Sequence, residues 1–319
     1  MKKTFIVVLA GAFLIQAAFT AQACDMCAVF RAQQVGKSTV GLNLSIAEQY
    51  THFGTIRQDG TKVDNAANQK LESSITQFVP SYQITDRFGV QLSAPFIYRS
   101  YRRVEAGAIE KGTEQGLGDI SLIGYGRLYE FMNLKVMFAW DVMGGVKFPT
   151  GDSDRLGEEL NETEPVPGVP ESAVHGHDLA LGSGSYDGLV GTGIVFAWQR
   201  LFCSGAVQYS IRTEGDFDYQ CANDVMWNVK PGAYLWLDKK GSVALKCVVQ
   251  GEKKGRDTFL GEKTEDTGIE TILVGPELDF TWQDELSAAA GMAFPTSTDN
   301  TALQLVPDHK IYAALTWRL

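Results

Sequence analysis

The feature that most constrains this chain is an alternation of apolar and polar residues with period two. It is sustained over segments long enough to cross a bilayer. At the C-terminal end, Ile311, Ala313, Leu315, Trp317 and Leu319 alternate with Lys310, Tyr312, Thr316 and Arg318. Leu134, Val136, Phe138, Trp140, Val142 and Val146 alternate with Lys135, Asp141 and Lys147, and Ile272, Val274, Leu278, Phe280 and Trp282 with Thr271, Glu277 and Asp279. A strand turns successive side chains to opposite faces, so each segment carries one apolar and one polar face.

The pattern predicts about twelve strands, near 38–53, 72–85, 88–103, 118–129, 134–149, 185–199, 201–213, 224–237, 242–253, 267–282, 286–295 and 306–319. Short turns at 85–87, 130–133, 199–200, 238–241 and 283–285 alternate with longer polar loops near 54–71, 104–117, 150–184, 214–223, 254–266 and 296–305. Short turns on one side and long loops on the other mark an outer-membrane barrel. A soluble sandwich would place turns every ~8–12 residues. Here the repeat is about 23 residues. An open sheet of such strands would expose unpaired edges, which closure removes. The expected fold is therefore all-β, a transmembrane antiparallel up-and-down barrel. Tyr98, Tyr101, Tyr129, Trp198, Trp236, Trp282 and Trp317 lie near strand ends, as interface girdles do. The last strand ends on Leu319, where such barrels usually carry an aromatic residue.

Composition agrees. A mean hydropathy of −0.08 is too polar for a bundle of membrane helices. Hydrophobic residues at 45% are too many for a disordered chain. The one helix-like apolar run is N-terminal. Lys2 and Lys3 precede the apolar Phe5–Ala18, and Ala21-Gln22-Ala23 fits a signal-peptidase site. Residues 1–23 are thus expected to be a secretory leader, 24–37 a periplasmic segment and 38–319 the barrel. Cleavage would make Cys24 the first residue, which leaves lipidation open, although Ala21 stands where a lipoprotein signal prefers a Leu-like residue. The net charge is −10, and −12 without the leader (26 basic against 38 acidic side chains). No basic stripe exists, which argues against nucleic-acid binding.

Four pieces stand in order: Ile84-Thr-Asp-Arg-Phe-Gly89, Gly116-Leu-Gly-Asp-Ile-Ser-Leu122, Gly145-Val-Lys-Phe-Pro-Thr-Gly-Asp152 and Leu181-Gly-Ser-Gly-Ser-Tyr-Asp187. Together they resemble the outer-membrane family named for the meta-pathway of phenol degradation. The resemblance implies a barrel of about twelve strands passing small compounds, aromatic ones among them. The segment with Cys24 and Cys27 is not part of that pattern. Independently of the family, Asp119 and Asp152 stand beside glycines as turn caps, and Pro149 fits a strand end.

With the apolar set facing lipid, the lumen receives Arg99, Arg127, Lys135, Asp141, Lys147, Arg212, Lys230, Lys246, Glu277 and Asp279. Two readings stand: charges hydrated or paired in a polar lumen, or a basic constriction with weak anion preference. The longest loop, 150–184, is acidic at Asp152, Asp154, Glu158, Glu159, Glu162 and Glu164. It is a solvated surface loop, an inward-folded lid or a cation site at the mouth. Within it His175-Gly176-His177-Asp178 offers candidate metal ligands.

The cysteines divide. Cys203 and Cys247 have lipid-facing parity, and Cys221 falls in an outer loop. Cys24-Asp25-Met26-Cys27 is open to a disulfide, a redox or metal contact, or free thiols. Ala28 excludes a c-type haem site. Gly182-Ser183-Gly184-Ser185 lacks nucleophile-elbow spacing, and none of His52, His175, His177 and His309 carries a local triad pattern. The expectation is a non-enzymatic outer-membrane channel or transporter for small solutes, requiring no cofactor. Its partners would be outer-membrane lipid, the solute and the barrel-assembly machinery. The alternatives are redox or metal handling through Cys24 and Cys27 and, behind it, an outer-membrane hydrolase.

Overall fold

The computed structural model describes residues 40–133, 135–161 and 170–319. The expected leader, the segment with Cys24 and Cys27, and Glu162 and Glu164 lie outside these residues. The strands are β1 (Gly41–Gln58), β2 (Thr61–Val63), β3 (Lys70–Gln83), β4 (Phe88–Glu105), β5 (Ala108–Leu117), β6 (Ser121–Met132), β7 (Val136–Lys147), β8 (Asp187–Trp198), β9 (Leu201–Ile211), β10 (Tyr219–Gln220), β11 (Asp224–Asp238), β12 (Gly241–Lys254), β13 (Thr258–Phe259), β14 (Glu262–Lys263), β15 (Ile269–Trp282), β16 (Leu286–Asn300) and β17 (Leu303–Arg318). Twelve staves form the wall, with β5 and β6 sharing one, since both pair with β4. The short β2, β10, β13 and β14 belong to the outer rim.

All neighbours are antiparallel, and β17 closes on β1 from Asn43–Arg318 to Gln58–Leu303. Closure satisfies the wall's backbone groups, as a lipid-embedded sheet requires. On β4 the outward residues Phe88, Val90, Leu92, Ala94, Phe96 and Tyr98 make an apolar run, followed by Ser100 and Arg102. That length spans hydrocarbon when tilted. The tight connections 84–87, 199–200, 239–240 and 283–285 share one rim with both ends of the barrel, where the Leu319 N–H donates to the Leu42 carbonyl. Around that rim Tyr129, Trp198, Trp282 and Trp317 face outward and exposed, and Trp236 stacks on Trp282. The chain is an outer-membrane-type β-barrel.

Three expectations change. Tyr101 is not in the girdle. It shares the inward parity of Arg99 and Arg103 on β4 and is buried in the lumen, while Tyr98 points out. The expected loops 54–71, 104–117 and 296–305 are largely strand. β4 and β5 continue upward as a hairpin turning at Ala106-Gly107, both with positive φ (48° and 78°). Asp59-Gly60 turns in the same way between β1 and β2 (φ 48° and 75°). Such turns match the twist of the paired strands and carry polar hairpins beyond the membrane. Finally, the stave expected at 118–129 breaks at 118–120, and the break turns Asp119 into the lumen.

Candidate functional site

The connection from β7 to β8 does not lie over the surface. Its return leg enters the barrel and reaches the opposite wall. Ala173, Val174 and Leu179 pack against Phe53, Ile56, Leu71, Tyr101 and Leu305. Deeper, Leu181 packs with Ile75, Ile97 and Tyr312. These wall residues are the inward apolar positions of β1, β3, β4 and β17. Each fully buried Leu contributes about 1.5–3 kcal/mol to the insertion. The loop is thus folded inward and is not a solvated surface loop.

Polar contacts fix the insertion. Arg99 donates to the Ala180 carbonyl, and its Nε lies 3.4 Å from Ser73 Oγ. Gln69 accepts the Ala173 N–H at 3.0 Å and donates to the Glu171 carbonyl at 2.8 Å. At the root, the Leu181 and Gly182 N–H groups both donate to the Asp152 carbonyl, at 2.9 and 2.8 Å. A Cβ on Gly182 would stand 2.6 Å from the Gly151 backbone. Gly182→Ala should therefore force the two legs apart and destabilise the folded barrel by about 1–3 kcal/mol. Denaturant unfolding of the refolded variant measures this, and an unchanged midpoint would show that the legs yield freely.

Pieces of the sequence pattern meet at this root. Asp119 accepts the Thr150 and Gly151 N–H groups at 3.1 and 3.0 Å, and the Ser183 N–H and Oγ each at 3.1 Å. Lys147 lies 2.5 Å from Asp119 and 2.8 Å from Asp187. Arg212 bridges Asp187 at 2.9 Å and Asp224 at 2.8 Å. Asp119 is thus more than a turn cap: it ties the break between β5 and β6 to both legs of the loop. Ser183 touches Lys147. That ammonium is bound by two carboxylates and has no lone pair with which to accept a proton, so the contact is not an activated nucleophile.

Lower in the barrel, Lys230 meets Glu277 at 3.2 Å, and Lys246 meets Glu277 at 3.0 Å and also Asp279. Phe202 and Tyr234 adjoin them with ring centres 4.9 Å apart, and Lys246 lies 5.9 Å from the Phe202 ring centre. Arg127 forks onto Asp141 through Nε and Nη2 at 2.8 and 3.2 Å. Of the ten charged residues assigned to the lumen, Lys135 is the exception. It lies exposed beside the short turn after β6, because β7 begins at Val136. Arg212 stands just past the end of β9, at the outer end of the lumen. The sequence reading missed Asp119, Asp187 and Asp224, which pair with the basic residues. Most of these charges are therefore paired, which favours the paired reading of the lumen over a basic constriction.

The candidate metal ligands also gather differently. His175 and His177 begin a four-residue helix, Gly176–Leu179. A Cβ on Gly176 would lie 2.2 Å from the Arg155 carbonyl, so glycine lets the loop's two halves touch. His175 Nδ1 contacts Asp266, from the connection between β12 and β15, and His175 Nε2 lies 2.9 Å from the Ser172 carbonyl. His177 Nδ1 lies 3.0 Å from Glu159, whose Oε1 also accepts the His177 N–H at 2.9 Å. Asp178 instead caps the helix by accepting the His175 N–H at 3.0 Å, with its other oxygen 3.6 Å from His177 Nε2. Asp266 is the candidate ligand that sequence spacing could not supply. Burial opposes charge on His177, yet Asp178 and Glu159 outweigh it and raise its pKa well above the ordinary value. Burial likewise opposes charge on Asp266, but the two histidines hold its carboxyl well below the usual range.

The sequence matches no protein-family model and no curated protein. Among solved structures, an outer membrane channel from Pseudomonas putida F1 superimposes with a TM-score of 0.59 at 14% identity, covering 90% of this chain and 99% of that one. The chain shares the fold of that outer-membrane barrel. The β domain of the Bordetella autotransporter BrkA follows at a TM-score of 0.46 and 7% identity, over 88% of this chain and all (100%) of that one. The transport unit of the Escherichia coli autotransporter AIDA-I gives 0.45 at 10% identity, over 92% and 94%. The first of these likenesses shows the outer-membrane barrel fold and leaves the narrower meta-pathway resemblance without support of its own.

The cysteines sort by stave and loop. Cys247 is exposed on the outer face, and Cys203 is half-buried on the outward parity of β9. Cys221 is buried with Leu156, Ala180 and Tyr219 where an outer loop meets the inserted one. His52 and His309 stack across the β1–β17 pair with ring centres 5.6 Å apart. They take no part in the loop cluster.

Proposed function

We propose that the protein is an outer-membrane channel for small amphipathic solutes, aromatic compounds among them, and that the inserted loop narrows its path. The carrying observation is the two-sided lumen. One wall, from β17 through β4, presents Phe53, Leu71, Ile75 and Ile97 to the loop's leucines. The other presents paired charges, with Phe202 and Tyr234 beside Lys246. The loop covers the apolar wall, so a passing solute meets the Phe202 and Tyr234 rings with its apolar face and the paired charges with its polar edge, contacts favourable enough to enter and weak enough to leave.

Single-channel recording of the refolded protein in a planar bilayer tests the reading, together with liposome-swelling rates for small aromatic acids against sugars of similar size. Stepwise conductance with faster entry of the aromatic acids is expected. A folded barrel that passes neither ion nor solute would sink the proposal. Charge pairing makes a second forecast. Glu277→Ala leaves Lys230 and Lys246 with one fewer carboxylate, so the reversal potential in a salt gradient should move toward anion preference. An unmoved potential would place the ion path away from these residues.

A further inference from the structure

The His175–His177–Asp266 cluster has a hydrogen-bonding problem that a metal ion resolves. The Ser172 carbonyl can only accept, so His175 Nε2 carries the proton and donates to it. In the neutral ring, Nδ1 then bears a lone pair, yet it faces the Asp266 carboxylate, which also can only accept. His177 stands between two carboxylates in the same way, with Glu159 at Nδ1 and Asp178 nearest Nε2. Neutral imidazoles cannot satisfy these contacts directly. Positive charge at the rings resolves the mismatch, as protons on both rings or as a metal shared between them. Protons on both rings would be countered by Asp266, Glu159 and Asp178, whereas a single metal ion puts its charge at the point where the ring nitrogens and Asp266 converge.

We infer that a zinc-class transition-metal ion is bound by His175 Nδ1, His177 Nε2 and an Asp266 oxygen, clasping the inserted loop to the connection between β12 and β15. One donor atom from each of the three residues lies within 4.8 Å of the others. Tetrahedral ligands at zinc distances stand about 3.4 Å apart, so the widest gap must close by up to about 1.4 Å, while His175 Nδ1 and Asp266, which already touch, must part to admit the ion. The second shell is already built. Ligating histidines donate their other ring N–H to a carbonyl or carboxylate, which fixes tautomer and orientation. Here Ser172 and Glu159 supply those acceptors. Asp178, 3.6 Å from His177 Nε2, stands near enough to become a fourth ligand or to hold a bound water. Imidazole and carboxylate donors with no thiolate suit zinc, and also nickel or copper. The inference does not depend on the channel reading, because the clasp concerns how the loop is held.

The test uses the full refolded barrel carrying Cys24→Ser and Cys27→Ser, so that N-terminal thiolates add no site of their own. Zinc titration by calorimetry should give one saturable equivalent per barrel. Cobalt in its place should develop the visible absorption of a tetrahedral site. His175→Ala and Asp266→Asn should each abolish saturable binding while heat-modifiable migration shows a folded barrel. Glu159→Gln, which alters only the orienting shell, should weaken binding by about 10–100-fold. No saturable zinc binding in this background, or binding that survives both His175→Ala and Asp266→Asn, overturns the site. Should His175→Ala fail to fold, Asp266→Asn decides alone, since it changes the other loop. Conductance is not the readout, so failure here leaves the channel proposal standing and the converse also holds.

Discussion

Replacing residues 153–180 by a Gly-Gly bridge is expected to raise single-channel conductance several-fold without dismantling the barrel. The new joint is short, because the Leu181 N–H already donates to the Asp152 carbonyl at 2.9 Å. The wall is closed by strand pairing from β1 through β17, and none of those pairings involves the excised residues. What the deletion removes is Leu179, Ala173 and Val174 from the space between β1, β4 and β17, and the Ala180 carbonyl from Arg99. A twelve-stave barrel is narrow, and side chains or an inserted segment fill much of its section. Clearing one segment should therefore change ionic current on the order of three- to tenfold. The exposed apolar wall would be wetted at a loss of some stability, measurable as a lower unfolding midpoint. Conductance that stays at the wild-type value in a folded variant would sink the idea that this loop sets the constriction. The ion pairs around Glu277 would then become the narrowest point.

The sequence made the barrel legible because lipid enforces one rule on every outward residue from one rim to the other. Leu315 and Trp317, or Leu278 and Trp282, satisfy it whatever their neighbours do, so parity alone assigns their faces. Parity also put Lys230, Lys246 and Glu277 on the inward face, without telling that they meet. Meeting depends on register between strands distant in sequence: Lys246 stands opposite Glu277 in the β12–β15 pairing. The polar hairpins above the membrane were harder to see. Beyond Tyr98 both faces of β4 are mostly polar or charged, with Val104 the aliphatic exception, so alternation fades although pairing continues to Glu105. Ala106-Gly107 lacks the Asn or Asp that advertises such a turn. The inserted loop was the least legible part. Ala173, Val174, Leu179 and Leu181 have no period, and only the opposite wall explains their apolarity. In the metal candidate, adjacency along the chain proposed Asp178, whereas folding brings Asp266 from 91 residues away.

Asp187→Ala is expected to destabilise the folded barrel by about 3–5 kcal/mol, the largest effect of any single ion-pair substitution here. Every lone pair of this side chain is used. Oδ2 holds Lys147 at 2.8 Å and Arg212 at 2.9 Å, while Oδ1 accepts Ser185 Oγ at 2.9 Å and the Thr213 N–H at 3.1 Å. The Asp187 side chain is 0% exposed, and those of Lys147 and Arg212 are 4% and 1% exposed. Truncation strands part of two buried cations that water cannot reach. Asp119 and Asp224 each retain one of them, which keeps the loss from growing larger. The matched control is Asp141→Ala, which breaks the fork to Arg127 where the carboxylate is 40% exposed. Water replaces that partner, so the loss should stay within about 1 kcal/mol. Both values follow from urea unfolding of barrels folded into lipid vesicles. Equal losses for the two variants would mean that water reaches the node at the loop root. The Lys147–Asp187–Arg212 pairs would then not be what anchors the loop, and the apolar contacts of Leu179 and Leu181 would have to hold it unaided.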